Sequence, residues 1–232
     1  MTELTSRQRM LRALDLQEPD HVPCCFMSFT ALRKRHNENL YELAKVERSM
    51  GLDSMLFIPS APRPQRLDHP DLRGLPVRFH PEVEVKEWTE EASGNWPVLH
   101  KEYHTPGGAL TTSVRLSEDW PHGKHIPFID DYQIPRALKP LITEPEELEA
   151  LQYLLLPPDE EDVRNFKVEA QKAHHFVEEQ GILLSGGWGV GMDMANWLCG
   201  MENLMLMMLE QPDFVTDLLE MIHVWNRQRM QV

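Results

Sequence analysis

The sequence is poor in what would tie it to several common classes. It holds only three cysteines, Cys24, Cys25 and Cys199. Neighbouring cysteines rarely bridge each other and no spaced framework exists, so a disulfide scaffold is excluded and a reducing, cytoplasmic location is expected. Basic residues are scarce as well: 23 Lys and Arg stand against 37 Asp and Glu, a net charge of −14. That balance provides no field to gather phosphates and argues against nucleic acid or an anionic membrane as partner. No uncharged apolar run approaches bilayer length, and Met1 to Arg12 mix Glu, Arg and Gln without the apolar centre of a signal peptide. What is present is 41% hydrophobic residues in 232, enough for a substantial core and a small-molecule enzyme.

Thr5 and Gln8 have capping-box spacing, and Met10, Leu11 and Leu14 recur at helical intervals, which predicts a helix over 5–16. Val22 to Met27 is a continuous apolar run, expected to be a strand buried on both faces and the first of a barrel. A helical stretch carrying Leu40, Leu43 and Val46 leads to a second run, Met55 to Ile58. Strand, helix, strand order implies parallel strands with a right-handed crossover. Residues 60–76 then read as loop. Glu82 to Trp88, Val98 to His104 and Ala109 to Leu116 read as short strands, the last with Leu110, Thr112, Val114 and Leu116 on one face and Pro106-Gly107-Gly108 as a turn before it. An antiparallel β insertion over 77–118 follows, set on the loops where barrels accept insertions.

Helical spacing returns at Thr143, with a capping box to Glu146, and Asp159 to Gln180 forms a long helix closed by Gly181. Ile182 to Ser185 is a third strand that runs straight into Gly186-Gly187-Trp188-Gly189-Val190-Gly191. Asp193 to Cys199, Glu202 to Leu209 and a segment opening at Pro212 are expected helices. Arg227 to Val232 still has helical character with no stop signal, which predicts a single barrel domain over 1–232 cut at its C-terminal side. The expected fold class is α/β, an incomplete TIM-type (β/α)8 barrel, although the strand, helix, strand unit also builds doubly wound sheets.

A loop leaving the C-terminal end of a barrel strand lies on the catalytic face, so Gly187, Trp188 and Gly189, with Asp193 and Asn196 close behind, are the candidate binding residues. The glycine spacing is G-x-G-x-G and not a dinucleotide fingerprint; a tight turn and a ligand wall both fit it. Arg33, and Ser28 before it, follow the first strand and could meet an anionic substrate. His122 and His125 have i, i+3 spacing but lie in a Pro/Gly-rich stretch, His174 and His175 would point about 100° apart on their helix, and no metal ligand set is assigned within the chain. Cys24 and Cys25 are expected as core thiols. Met192, Met194, Met201, Met205, Met207 and Met208 are expected to fill the core.

Three stretches carry a resemblance: "RQRMLRALDLQEPDHVPCCFM", "ITEPEELEAL" and "SGGWGVGMDMANWLCGMENLMLMMLEQPDFVTDLLEMI". Together they resemble the helix and first strand, the short helix, and the central glycine loop with its following helices in the uroporphyrinogen-decarboxylase superfamily. The resemblance implies a TIM-type barrel. Where the decarboxylase carries substrate-holding arginines, the matching residues here begin Met27-Ser28-Phe29-Thr30-Ala31, with Arg33 the nearest substitute, and Asn196 stands where the decarboxylase has a tyrosine. The antiparallel stretch "HKEYHTPGGALTTSVR" resembles instead insertions of the corrinoid-dependent methyltransferase-like branch, to which the chain is more similar. That implies methyl transfer between a corrinoid, on a corrinoid protein, and a small acceptor, with zinc held by ligands beyond Val232. Decarboxylation of uroporphyrinogen, and a non-catalytic or defective barrel fragment, are the alternatives.

Overall fold

The computed structural model describes residues 3–25, 32, 35–36, 39–57, 71–72, 75–91, 96–186 and 190–232. The elements are α1 (Ser6–Leu14), α2 (Leu40–Ser49), β1 (Met55–Phe57), β2 (Asp71–Leu72), β3 (Leu75–Pro76), β4 (Glu84–Glu90), β5 (Val98–Thr105), β6 (Gly108–Arg115), β7 (Ala137–Lys139), α3 (Glu147–Leu151), α4 (Glu160–Gln180), β8 (Leu183–Ser185), α5 (Met192–Cys199), α6 (Met201–Glu210) and α7 (Pro212–Met230). The fold is mixed α/β. Two compact units form, one from Met1–Pro62 with Asp162–Trp188, the other from Arg63–Glu161 with Gly189–Val232.

In the first unit β1 and β8 pair in parallel, with Met55 opposite Leu183 and Phe57 opposite Ser185. Ala44 of α2, Leu56 of β1, Ala173 and Val177 of α4, and Ile182 form its core, and Tyr41 meets the ring of Phe176 edge-on at 4.9 Å. The expected capping box holds: the Thr5 hydroxyl accepts from the Gln8 N–H at 3.2 Å and the Gln8 side chain accepts from the Thr5 N–H at 3.0 Å. α4 ends where Gly181 takes a left-handed φ of +59°. The Gly181 carbonyl then accepts from the Arg7 N–H at 2.9 Å, which ties the start of α1 to the entry of β8.

The buried side of α1 is not the apolar one. Met10 is buried, but so are Ser6 and Arg9, while Leu11 and Leu14 are exposed. Arg9 Nε donates to Asp20 Oδ1 and Nη1 to Asp53 Oδ1, both at 2.6 Å, and Nη2 donates to the Leu4 carbonyl at 2.9 Å. Hydrogen bonding from Arg9 holds the Asp20 carboxyl well below the usual carboxylate range, and the same bond raises the already high value of Arg9. This cluster also corrects the expected first strand. Residues 22–25 form no strand, Val22 is 83% exposed and Cys24 is exposed, so neither a doubly buried run nor a core Cys24 exists; residues 26 and 27 lie outside the described residues. Pro23 has no N–H to give a ladder, and the N–H of Cys24 is taken by Asp53 Oδ2 at 2.9 Å. Among the described residues the parallel pairing is confined to β1 and β8, and no closed barrel is present.

The second unit is built on the antiparallel sheet β4-β5-β6-β7. Val98 to Thr105 pairs with Gly108 to Arg115 through a two-residue connection, as the Pro-Gly-Gly turn predicts. Gly107 is required there, since a Cβ would lie 2.5 Å from the Glu149 carbonyl oxygen. Leu99, Tyr103, Leu110 and Val114 face inward as the alternation predicts, and Phe79 packs edge-on against Tyr103 and Phe128. β7 was not foreseen. It is three residues long, between Pro135 and Pro140, too short for alternation to register, and the Thr112 hydroxyl donates to the Lys139 carbonyl at 2.8 Å. Fully buried Lys101 on the inward face was equally unforeseen; its ammonium donates to the Ile126 carbonyl at 2.6 Å and lies 3.4 Å from Glu87.

The helices of this unit follow expectation with two corrections. Glu147, and not Glu146, reaches back to the N–H groups of Thr143 and Glu144, so the cap operates one residue later than the spacing suggests. Of the six methionines expected in the core, only Met194 and Met207 are buried; Met192, Met201, Met205 and Met208 are exposed. No described helix is long and apolar enough to cross a membrane.

Candidate functional site

In α/β folds ligands gather at the C-terminal ends of parallel strands. β1 and β8 end together at Phe57 and Ser185, and Gly186, where the glycine loop begins, is exposed with open space beside it. The opposite end of the pair is closed by α1. Gly187, Trp188 and Gly189, together with Ser28 and Arg33, lie outside the described residues. Asp193 and Asn196 are the expected site residues whose surroundings are visible.

Both sit on α5 in the second unit. Asp193 Oδ1 accepts from the N–H of Gly191 at 2.6 Å and of Met194 at 2.9 Å, so this carboxylate satisfies orphan donors at the helix start while remaining exposed. Asn196 is half-buried, and its carbonyl accepts from the Gly200 N–H at 2.8 Å. The residue that fixes the end of the glycine loop was missed. Asn226 on α7 accepts from the Val190 N–H and donates to the Val190 carbonyl, clamping both polar groups of that residue. An amide late in an amphipathic helix, two residues before Gln228, was its only signal.

One helical turn from Asp193, Trp197 Nε1 donates to Asp131 Oδ1 at 2.6 Å, linking α5 to the 117–137 segment. There Asp130 accepts from the Tyr132 N–H at 2.8 Å and lies 3.4 Å from His122 Nε2. The His122 ring meets Trp120 at 5.0 Å and Tyr132 at 6.1 Å, both edge-on, and Arg136 stands over Tyr132. The Ser117 hydroxyl and then Arg136 hold the Asp119 carboxyl below its ordinary value. The His122 side chain is 27% exposed, with Nε2 itself buried near Asp130, and the flanking rings offer flat contact surfaces. This cluster was not legible in sequence, where His122 drew notice only for its spacing to His125. His125 turns out to serve Glu87, at 3.0 Å, and the two rings share no ligand set. His175 is 3.3 Å from Glu179.

Burial pushes the Cys199 thiol up to about 12, which keeps it protonated near neutral pH. No group of three or more His, Cys, Asp and Glu that could hold a metal occurs among the described residues. A groove of about 380 Å³ lies between Leu155, Pro157, Met221, Val224 and Trp225, with Glu220 at its edge. No family model, curated protein or solved structure matches the chain.

Proposed function

We propose that the chain acts as a TIM-type barrel enzyme of the uroporphyrinogen-decarboxylase superfamily, in methyl transfer between a corrinoid carried by a cytoplasmic partner protein and a small acceptor. The single observation that carries this reading is the common end of β1 and β8, from which the glycine loop departs while α1 closes the other end. The same polarity divides barrels of this type into a catalytic and a stabilising face. The antiparallel sheet and the order of α5, α6 and α7 behind the loop support it further.

In this reading Gly187, Trp188 and Gly189 would bind the corrinoid and Ser28 and Arg33 the acceptor, roles supported by the sequence resemblance. The corrinoid supplies an electrophilic methyl group. Asp193 and Asn226 contribute by holding the end of the loop at Gly191 and Val190. The zinc that the resemblance implies would have its ligands beyond Val232, and no residue of this chain is given that role. No step is assigned to it.

The test is incubation of the protein with methylcobalamin and a set of thiol and amine acceptors, following loss of the cobalt–carbon absorbance. Acceptor-dependent demethylation is expected, and Trp188→Ala should reduce it. Release of carbon dioxide from uroporphyrinogen without demethylation would replace this reading by the decarboxylase. Absence of both reactions would leave a non-catalytic domain.

A further inference from the structure

A helix that is apolar on nearly every side is normally covered on every side. α6 is such a helix, yet only Leu204 and Met207 enter the core. Met201, Met205 and Leu209 form an i, i+4, i+8 row on the other side, flanked by Met208 and Leu206; Met205 is 61% and Leu209 83% exposed. Single exposed apolar residues are ordinary on a surface, but a continuous row is the mark of an interaction site. Methionine, flexible and polarizable, suits a surface that moulds to a helical partner.

Charge decides between occupants. From Lys172 to Arg227 the chain has no intervening Lys or Arg, while Asp193, Glu202, Glu210, Asp213, Asp217 and Glu220 all fall in that span. Glu202 and Glu210 mark the two ends of the row. A second copy laid along it would oppose Glu202 to Glu210 in antiparallel packing, or each to itself in parallel packing, and like charges at a contact rim oppose association. A helix bearing Lys or Arg beside its own apolar stripe would neutralise both ends and cover the row.

We propose that the exposed side of α6 docks a basic amphipathic helix of a partner protein, with Met201, Met205 and Leu209 as apolar anchors and Glu202 and Glu210 as charge partners. The inference is independent of the reaction proposed above. It is tested by calorimetric titration of the full chain with a peptide of about 18 residues in which Leu and Lys alternate at helical spacing, and with its Leu/Glu counterpart. The Lys peptide should bind one per chain, more weakly as salt rises, and the Glu peptide should not bind. Met205→Ser with Leu209→Ser should weaken binding by about tenfold or more, with an unchanged circular dichroism spectrum because both side chains are exposed. Leu14→Ser, at an exposed leucine in the other unit, should leave binding unchanged. Equal binding by the double variant would show general charge attraction and overturn the proposal, as would no binding at all. A concentration-dependent dimer that the double variant abolishes would assign the surface to a second copy instead.

Discussion

The two ends of the β1–β8 pair are built on opposite principles. At the entry, Arg9 is buried between Asp20 and Asp53, Ser54 donates to Glu47 at 2.6 Å, and the Gly181 carbonyl is held by the start of α1. The Arg9–Asp53 and Arg7–Gly181 contacts join residues far apart in the chain and tie α1 to the entry of both strands. At the exit, Gly186 is exposed, and no described residue lies within 4 Å of where a side chain would begin. One end is bound into the unit through charge; the other keeps backbone accessible. Tolerance to change should follow the same division.

The largest effect is expected from Arg9→Ala. Removing one member of a buried ion cluster leaves uncompensated carboxylates, a loss of about 3 to 5 kcal/mol, read by urea unfolding and by hydrogen exchange of the Leu56 and Leu184 amides. An unchanged exchange rate at those amides would show that the entry cluster does not secure the strand pair. Acid should act on the same end. Because the folded Asp20 value is depressed, its contribution is complete above the ordinary carboxylate value of about 4 and is lost as pH falls through the lower folded value. Amides of α1 and β1 should therefore lose protection in acid, and in Arg9→Ala that extra acid sensitivity should disappear. Gly181→Ala places a side chain on a left-handed backbone and should cost about 1 kcal/mol by thermal unfolding. Gly186→Ala, at the exit, should change stability by no more than roughly 0.5 kcal/mol; a larger loss would mean the exit is as tightly built as the entry.

What could be read in the sequence was local. The Thr5–Gln8 box, the Gly181 cap, the alternation of β6 and the helices after the glycine loop are each set by neighbours within a few residues, and all are found as expected. The failures share a different cause. Val22 to Cys25 has strand composition, but the Asp53 side chain, far along the chain, takes the bond a ladder would need. Arg9 resembles a solvated arginine on a polar helix until Asp20 and Asp53 are brought to it. The methionines of α6 match a core pattern, and no propensity reveals that the unit covers only one side. At the candidate site, Asp193 and its place at the start of α5 follow from local spacing, whereas Asn226 and the His122–Asp130 pair depend on contacts that sequence spacing does not encode.

The pairing of β1 with β8 also sets a timetable. Met55 finds its partner only when Leu183 has been made. At translation rates of about 5 to 20 residues per second, the first strand must wait on the order of ten seconds while the whole antiparallel sheet, whose strands pair with their nearest successors, emerges ahead of its partner. The second unit's sheet can therefore assemble early, and the first unit spends its synthesis as an open strand edge beside its own helices. A chaperone that shields such edges would act during that interval, on nascent chains longer than β1 and shorter than β8.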